Sequence, residues 1–286
     1  MRNRYAQFGS ALAAIAGSCV MVGAGESSVE SQAGAPYVHR VVFIQPAGFS
    51  PSAGQPLKLS LVDRSSVPST LLKPTAEIRR FLLRSTGAQE NRETLASTIE
   101  DSTVLITPAI PRGSALVGIE LVPRSGTLDI TLFRYFLSAG ASNGLSPPIG
   151  VREVSVSQFN SCKAIVHGSN NGSGSTAVCT KTGLRSEICP LTDPSVIPIG
   201  SDLPVRAMVG GSPAKQVRLV VTPPGSDDPR ALTTDDVGAA HVRIDAPGVW
   251  QLQFQVARPA APGSDVEWDI FTSTLVFEVQ SAEGAK

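Results

Sequence analysis

The chain predicts a mainly β protein, two antiparallel β-sandwich domains with one short helix between them. Two observations carry that expectation. From Trp250 to Val256 the residues alternate without a slip, with Trp250, Leu252, Phe254 and Val256 on one face and Gln251, Gln253 and Gln255 on the other. Period two marks a strand with one buried face. The 286 residues also hold 22 prolines and 26 glycines, and many of these fall in short clusters between apolar runs, where they supply turn geometry.

Taken in order, the first element is a leader. Arg2 and Arg4 precede an uncharged run from Phe8 to Gly25, and Val22-Gly23-Ala24 offers small residues for cleavage. This is the layout of a secretory signal over residues 1–24. The alternatives are a single membrane anchor and a lipoprotein signal, in which Ala16-Gly17-Ser18 precedes a lipid anchor at Cys19. Residues 25–36 read as a flexible linker. No later stretch is apolar enough to predict a transmembrane helix in the mature chain. The product is therefore expected in the periplasm or outside the cell.

The first sandwich spans residues 37–150. Val41–Ile44, Leu57–Val62, Thr103–Ile106 and Leu116–Val122 are strand-length apolar runs, and Ile78, Phe81 and Leu82 also favour a strand. Glu90–Ser102 is polar and reads as a loop. Leu128, Leu132, Phe133, Phe136 and Leu137 recur at helical spacing, with Thr127 as candidate N-cap and Gly140 as stop. Residues 151–183 read as a connecting segment with a hairpin, whose tip is Gly168–Ser175 and whose return strand is Thr176–Cys179. Residues 184–281 form the second sandwich, with strands around Leu203, Val217, Trp250 and Leu275.

Lys plus Arg equals Asp plus Glu at 24 each, which leaves no basic footprint for nucleic acid. Cys162 and Cys179 flank the tip, so an exported protein predicts a disulfide between them, with Cys189 left over or competing for Cys179. The cysteine spacing fits no zinc pattern. His167 is expected exposed beside the tip, and His241 to face solvent with Arg243 and Asp245. Asp227-Asp228 and Asp235-Asp236 read as turn residues, because the calcium loop of alternating oxygen ligands is absent. No nucleophile elbow, phosphate loop or dinucleotide fingerprint is present. The sequence thus supports no catalytic residues and no certain cofactor.

Several motifs carry a family resemblance. Gly183-Leu184-Arg185-Ser186-Glu187-Ile188 is followed by Leu203-Pro204-Val205-Arg206, Thr234-Asp235-Asp236-x-Gly238, Pro247-Gly248-x-Trp250 and Trp268 through Val279. Upstream, Pro46-Ala47-x-Phe49-x-Pro51 continues to Pro56-Leu57. This pattern resembles a bacterial domain-of-unknown-function family grouped with periplasmic components of cobalt and nickel transport. Its C-terminal half is similar to carboxypeptidase-regulatory and transthyretin-type modules, which implies immunoglobulin/transthyretin-like sandwiches. Where that family has a His-Asp-Phe-Trp-like run, this chain has His39-Arg40-Val41-Val42-Phe43. The histidine is kept, and the acidic and tryptophan positions are not. The resemblance implies a metal role for His39 with a nickel or cobalt ion, and an envelope or transporter protein as partner. The expected function is a non-enzymatic accessory of cobalt/nickel uptake. The alternative is a structural or adhesive module that binds protein or glycan without metal.

Overall fold

The alternating runs become strands, and the strands stack as three sheets. The computed structural model describes residues 40–52, 55–65, 68–73, 77–85, 98–100, 104–107, 113–139, 145–146, 149–168, 175–226 and 228–281. The first half supplies β1 (Val42–Pro46), β2 (Leu57–Asp63), β3 (Thr70–Leu71), β4 (Ile78–Ser85), β5 (Thr98–Glu100), β6 (Val104–Thr107), β7 (Ser114–Leu121) and β8 (Arg124–Asp129). Helix α1 (Ile130–Ala139) and strand β9 (Glu153–His167) follow. The second half supplies β10 (Ser186–Pro190), β11 (Ser201–Val209), β12 (Ser212–Pro213), β13 (Arg218–Thr222), β14 (Arg230–Thr233), β15 (Ala239–Ile244), β16 (Gly248–Pro259) and β17 (Trp268–Val279).

A five-stranded sheet has the order β1-β2-β6-β5, with β3 on β2, and a four-stranded sheet joins β10, β11, β12 and β15. Between them lies an eight-stranded sheet of order β14-β13-β16-β17-β9-β7-β4, with β8 on β9. Both halves of the chain feed this central sheet, so residue 150 is not a boundary within it. They meet where β17 runs parallel to β9, with Trp268 opposite Val156 and Val276 opposite Ala164. The other pairings are antiparallel.

Neighbouring residues on the central strands point to opposite faces, and each face feeds its own core. On one face Leu116, Ile165, Trp250, Leu252 and Phe277 pack with Ile188 and Val205 of the four-stranded sheet. On the other Val117, Ala164 and Val276 pack with Phe43, Ile44 and Leu59 of the five-stranded sheet. Helix α1 covers the remainder of that second face, where Phe133 and Phe136 meet Val154, Trp268 and Ile270. The Phe133 and Trp268 rings cross edge to face with centroids 4.8 Å apart, a favoured aromatic geometry.

Several local expectations change. Thr127 does not cap the helix, because it lies in β8 opposite Ser155. Asp129 does so, its carboxylate accepting from the Thr131 amide at 2.7 Å. Within the expected loop Glu90–Ser102, residues 98–100 are β5, paired with β6; the rest, like Gly140, lies outside the described residues. Thr176–Cys179 is a 3-10 turn capped by Ser175 and not a return strand. The connecting segment contributes β9, a 15-residue strand paired with β7, β8 and β17.

The Thr-Asp-x-x-Gly motif has a mechanical reading. Asp235 accepts the amides of Val237 and Ala239, and Thr234 bridges the Val217 amide and the Ala214 carbonyl. Gly238 has φ +72°, and a Cβ there would lie 2.7 Å from the Ala207 carbonyl oxygen. Only glycine fits that approach.

Trp250 has no exposed surface, and its indole N–H donates to the Ala246 carbonyl. Trp250→Ala should therefore cost about 3–5 kcal/mol in a urea melt. Gln253 sits on the opposite face, half-buried, with an amide oxygen that has no partner among the described residues. Gln253→Ala should change stability by less than about 1 kcal/mol. Equal losses from the two substitutions would contradict the assignment of faces.

Candidate functional site

A cleft that could admit a ligand opens between β1, the edge strand of the five-stranded sheet, and the central sheet. The chain from Phe43 to Phe49 forms one wall, Val62, Arg64 and Ser69 extend it, and Val249, Gln251, Val276 and Glu278 of β16 and β17 form the floor. Its volume is about 280 Å³, near the small end of the roughly 300–1,000 Å³ range of small-molecule sites. The β16–β17 register sets the floor, since Val249 lies opposite Glu278 and Gln251 opposite Val276.

Two ionisable groups face this mostly apolar space. Burial lowers the Arg64 guanidinium from its ordinary value. Its Nη1 donates to the Gln251 amide oxygen, and the guanidinium stands 5.1 Å from the centre of the Phe43 ring. Burial also raises the Glu278 carboxyl, an effect that the charge of His167 partly offsets. Neither the five-stranded sheet nor the central sheet makes this site alone.

On the opposite face a charged cluster is sealed in the core. Lys163 is 0 % exposed and Glu187 1 %, and they pair at 3.2 Å. Glu187 also accepts the Thr182 amide at 2.8 Å, the Thr182 hydroxyl at 2.7 Å and the Gly183 amide at 3.3 Å. Burial alone would push this carboxyl up, but the Lys163 charge and the Thr182 hydrogen bonds together outweigh it and hold the group below its ordinary value. The Lys163 ammonium also lies 3.7 Å from the Cys189 sulfur. Sequence reasoning missed this pair. Its only signal was a lysine inside the apolar run Cys162–Val166, together with the Glu of the Gly-Leu-x-x-Glu-Ile motif.

The structure does not bring Cys162 and Cys179 together. All three cysteines in the described residues are free thiols. Cys162 points to the face covered by β1, where its thiol donates to the Val42 carbonyl at 3.1 Å. Cys179 packs against the core on the other face. Residues 162 and 163 of one strand must face opposite ways, and Cys189 lies on the Lys163 side. Burial pushes the Cys162 thiol up to about 12 and the Cys189 thiol to about 11, which makes both poor nucleophiles.

The histidines divide as well. His241 is exposed on β15, as expected. His167 is fully buried, contrary to expectation, because β9 carries it between Ser114 of β7 and the Glu278 carbonyl of β17. A carbonyl can only accept, so the contact of Nε2 with the Glu278 carbonyl at 3.1 Å puts the proton on Nε2. Nδ1 lies 3.3 Å from the Ser114 hydroxyl. His39 lies outside the described residues. Among the described residues no group of three or more His, Cys, Asp or Glu side chains is placed to hold a metal ion, and no helix is long and apolar enough to cross a membrane.

Fold and cleft together define a mainly β protein with a ligand-sized space between two of its sheets. The chain belongs to the family described as Domain of unknown function (DUF4198), whose model matches residues 38–258. That span takes in the five-stranded and four-stranded sheets and all of β9. A comparison with curated proteins finds no match.

Removing one member of the Lys163–Glu187 pair leaves a buried charge uncompensated. Lys163→Ala should cost about 3–5 kcal/mol, whereas Lys163→Met combined with Glu187→Leu should recover most of that loss. Because the folded-state carboxyl is depressed, its contribution is complete above the ordinary value of 4.5 and is lost as pH falls through the lower folded value. Urea melts from neutral to acid pH should show the double variant losing less stability than the wild type. A single variant as stable as the wild type would contradict the account.

Proposed function

We propose that the protein is a non-enzymatic, exported β-sandwich protein of the cell envelope that acts by binding a small ligand in the cleft between β1 and the β16–β17 floor. The cleft carries this reading. It is concave, lined mainly by apolar side chains and supplied with few polar groups, the usual composition of a binding site. Its walls come from two separate sheets, and several of its lining side chains, among them Phe43, Ile44 and Val276, also belong to the core that holds those sheets together. The signal-like residues 1–24 support export, and the N-terminal mass of envelope-purified protein checks it: a chain beginning at Gly25 is expected, and an intact Met1 contradicts it.

A role as an accessory of cobalt or nickel uptake rests on the family resemblance and on His39. One structural observation favours it: the main chain at Arg40, directly after His39, is clamped to the central sheet. The Arg40 amide donates to the Gln158 side-chain oxygen at 2.7 Å, and the Gln158 amide donates back to the Arg40 carbonyl at 2.6 Å. A binding heat with nickel or cobalt that disappears in His39→Ala supports this role. The same heat in both proteins would move the ion elsewhere.

The cleft reading makes its own prediction. In NMR titrations with the neutral probes 1-octanol and indole, resonances of Val62, Val249 and Val276 should shift. Val249→Trp, which fills the floor, should abolish those shifts while the protein stays folded. Shifts confined to other surfaces would contradict the reading.

A further inference from the structure

Among the described residues, Arg64 is a desolvated cation with no carboxylate partner, and it stands in the cleft. Several other arginines of these sheets meet carboxylates, whereas Arg80 and Arg84 donate to the carbonyls of residues 181–183. Arg40 pairs with Asp63 at 3.3 Å and with Glu77 at 3.1 Å. Arg124 reaches Glu77 at 2.8 Å, and Arg79 and Arg185 share Glu120. Arg64 differs. It is desolvated enough to lower its pKa, yet among the described residues no carboxylate comes within ion-pair distance of it. Its contacts are the Gln251 amide oxygen and the Phe43 ring.

The acid nearest in sequence is engaged otherwise, and the one in the cleft lies away from the guanidinium. Asp63 is turned to Arg40 and also accepts the amide and hydroxyl of Ser65. Glu278 lies at the other end of the floor, opposite Val249, whereas the Arg64 partner Gln251 lies opposite Val276. The charge that acts on Glu278 is that of His167. Holding a cation partly out of water without a counter-ion is unfavourable, and such a group in a cleft is a recognition element in waiting.

We infer that the cleft takes a small amphipathic carboxylate: its carboxylate pairs with the Arg64 guanidinium, and its apolar body lies against Phe43, Val62, Val249 and Val276. This rests on the cleft being the binding site. One guanidinium nitrogen is committed to Gln251, which orients the planar group and leaves further N–H donors for a carboxylate fork. The Gln251 side chain, anchored by its oxygen, keeps its NH₂ as a neighbouring donor. A single positive group matches a monoanion. A dianionic phosphate would have one cation to meet and a carboxyl group, Glu278, in the same small space. The apolar lining sets the rest of the ligand, since a bare anion would leave that surface uncovered.

The test compares two probes with one body and different heads, octanoate and 1-octanol, titrated into the mature full-length protein. The wild type should bind octanoate at least about tenfold more tightly than octanol. Arg64→Gln should weaken octanoate to the level of octanol and leave octanol unchanged, which also shows that the cleft is intact. Arg64→Lys should restore part of the preference, because it keeps the charge and loses the fork. Equal affinities for the two probes in the wild type, or a preference that survives Arg64→Gln, would overturn the carboxylate assignment while octanol binding upholds the cleft. Binding of neither probe would overturn both.

Discussion

The parallel pairing of β17 with β9 is the constraint on which the rest of the molecule depends. Nine residue pairs, from Trp268 opposite Val156 to Val276 opposite Ala164, splice the mid-chain strand β9 and the C-terminal strand β17 into one central sheet. Without that splice, β7 and β4 would be a small sheet of the N-terminal half and β13, β14 and β16 another of the C-terminal half. With it, each face of one sheet organises a core. β1 is laid across the junction, where the Val42 carbonyl accepts from Cys162 of β9 and from Thr274 of β17. The cleft is a by-product of this geometry, because β1 comes from one half and its floor from the other.

A strand at the centre of such a sheet is buried on both faces, so every polar side chain on it must be satisfied internally. Three of those on β9 are each tied to a different part of the fold, while the amide oxygen of Asn160 is buried with no partner among the described residues. Gln158 clasps the main chain at Arg40 and donates to Thr272. Lys163 answers Glu187 of the four-stranded sheet, and His167 bridges Ser114 and the Glu278 carbonyl. These bonds add little net free energy. They specify which elements lie over which stretch of β9, a register that apolar contacts alone would leave loose.

The second half was legible because polar and apolar side chains alternate along its strands. Gln251, Gln253 and Gln255 against Trp250, Leu252 and Phe254 gave the faces of β16 directly, and the burial of Trp250 follows that pattern. β9 was not legible for the opposite reason. From Asn160 to His167 it is buried on both sides, so alternation vanishes, and its serines, asparagine and lysine imitate a connecting loop. The disulfide expectation failed with it, since symmetry about a Gly/Ser/Asn tip carries no information about which face each cysteine takes. The cleft had no sequence signal, because Arg64 and Gln251 are 187 positions apart and meet only through the splice.

The account stands on the two halves being one cooperative body. Native-state hydrogen exchange as a function of denaturant measures this most directly, by comparing amides of β7, from the N-terminal half, with amides of β16, from the C-terminal half. If the β9–β17 splice unites them, the slowest amides of both strands open with the same free energy and the same denaturant dependence. Two separate opening energies, with β16 protected after β7 has exchanged, would mean that the halves are independent and that the splice is not what holds the cleft.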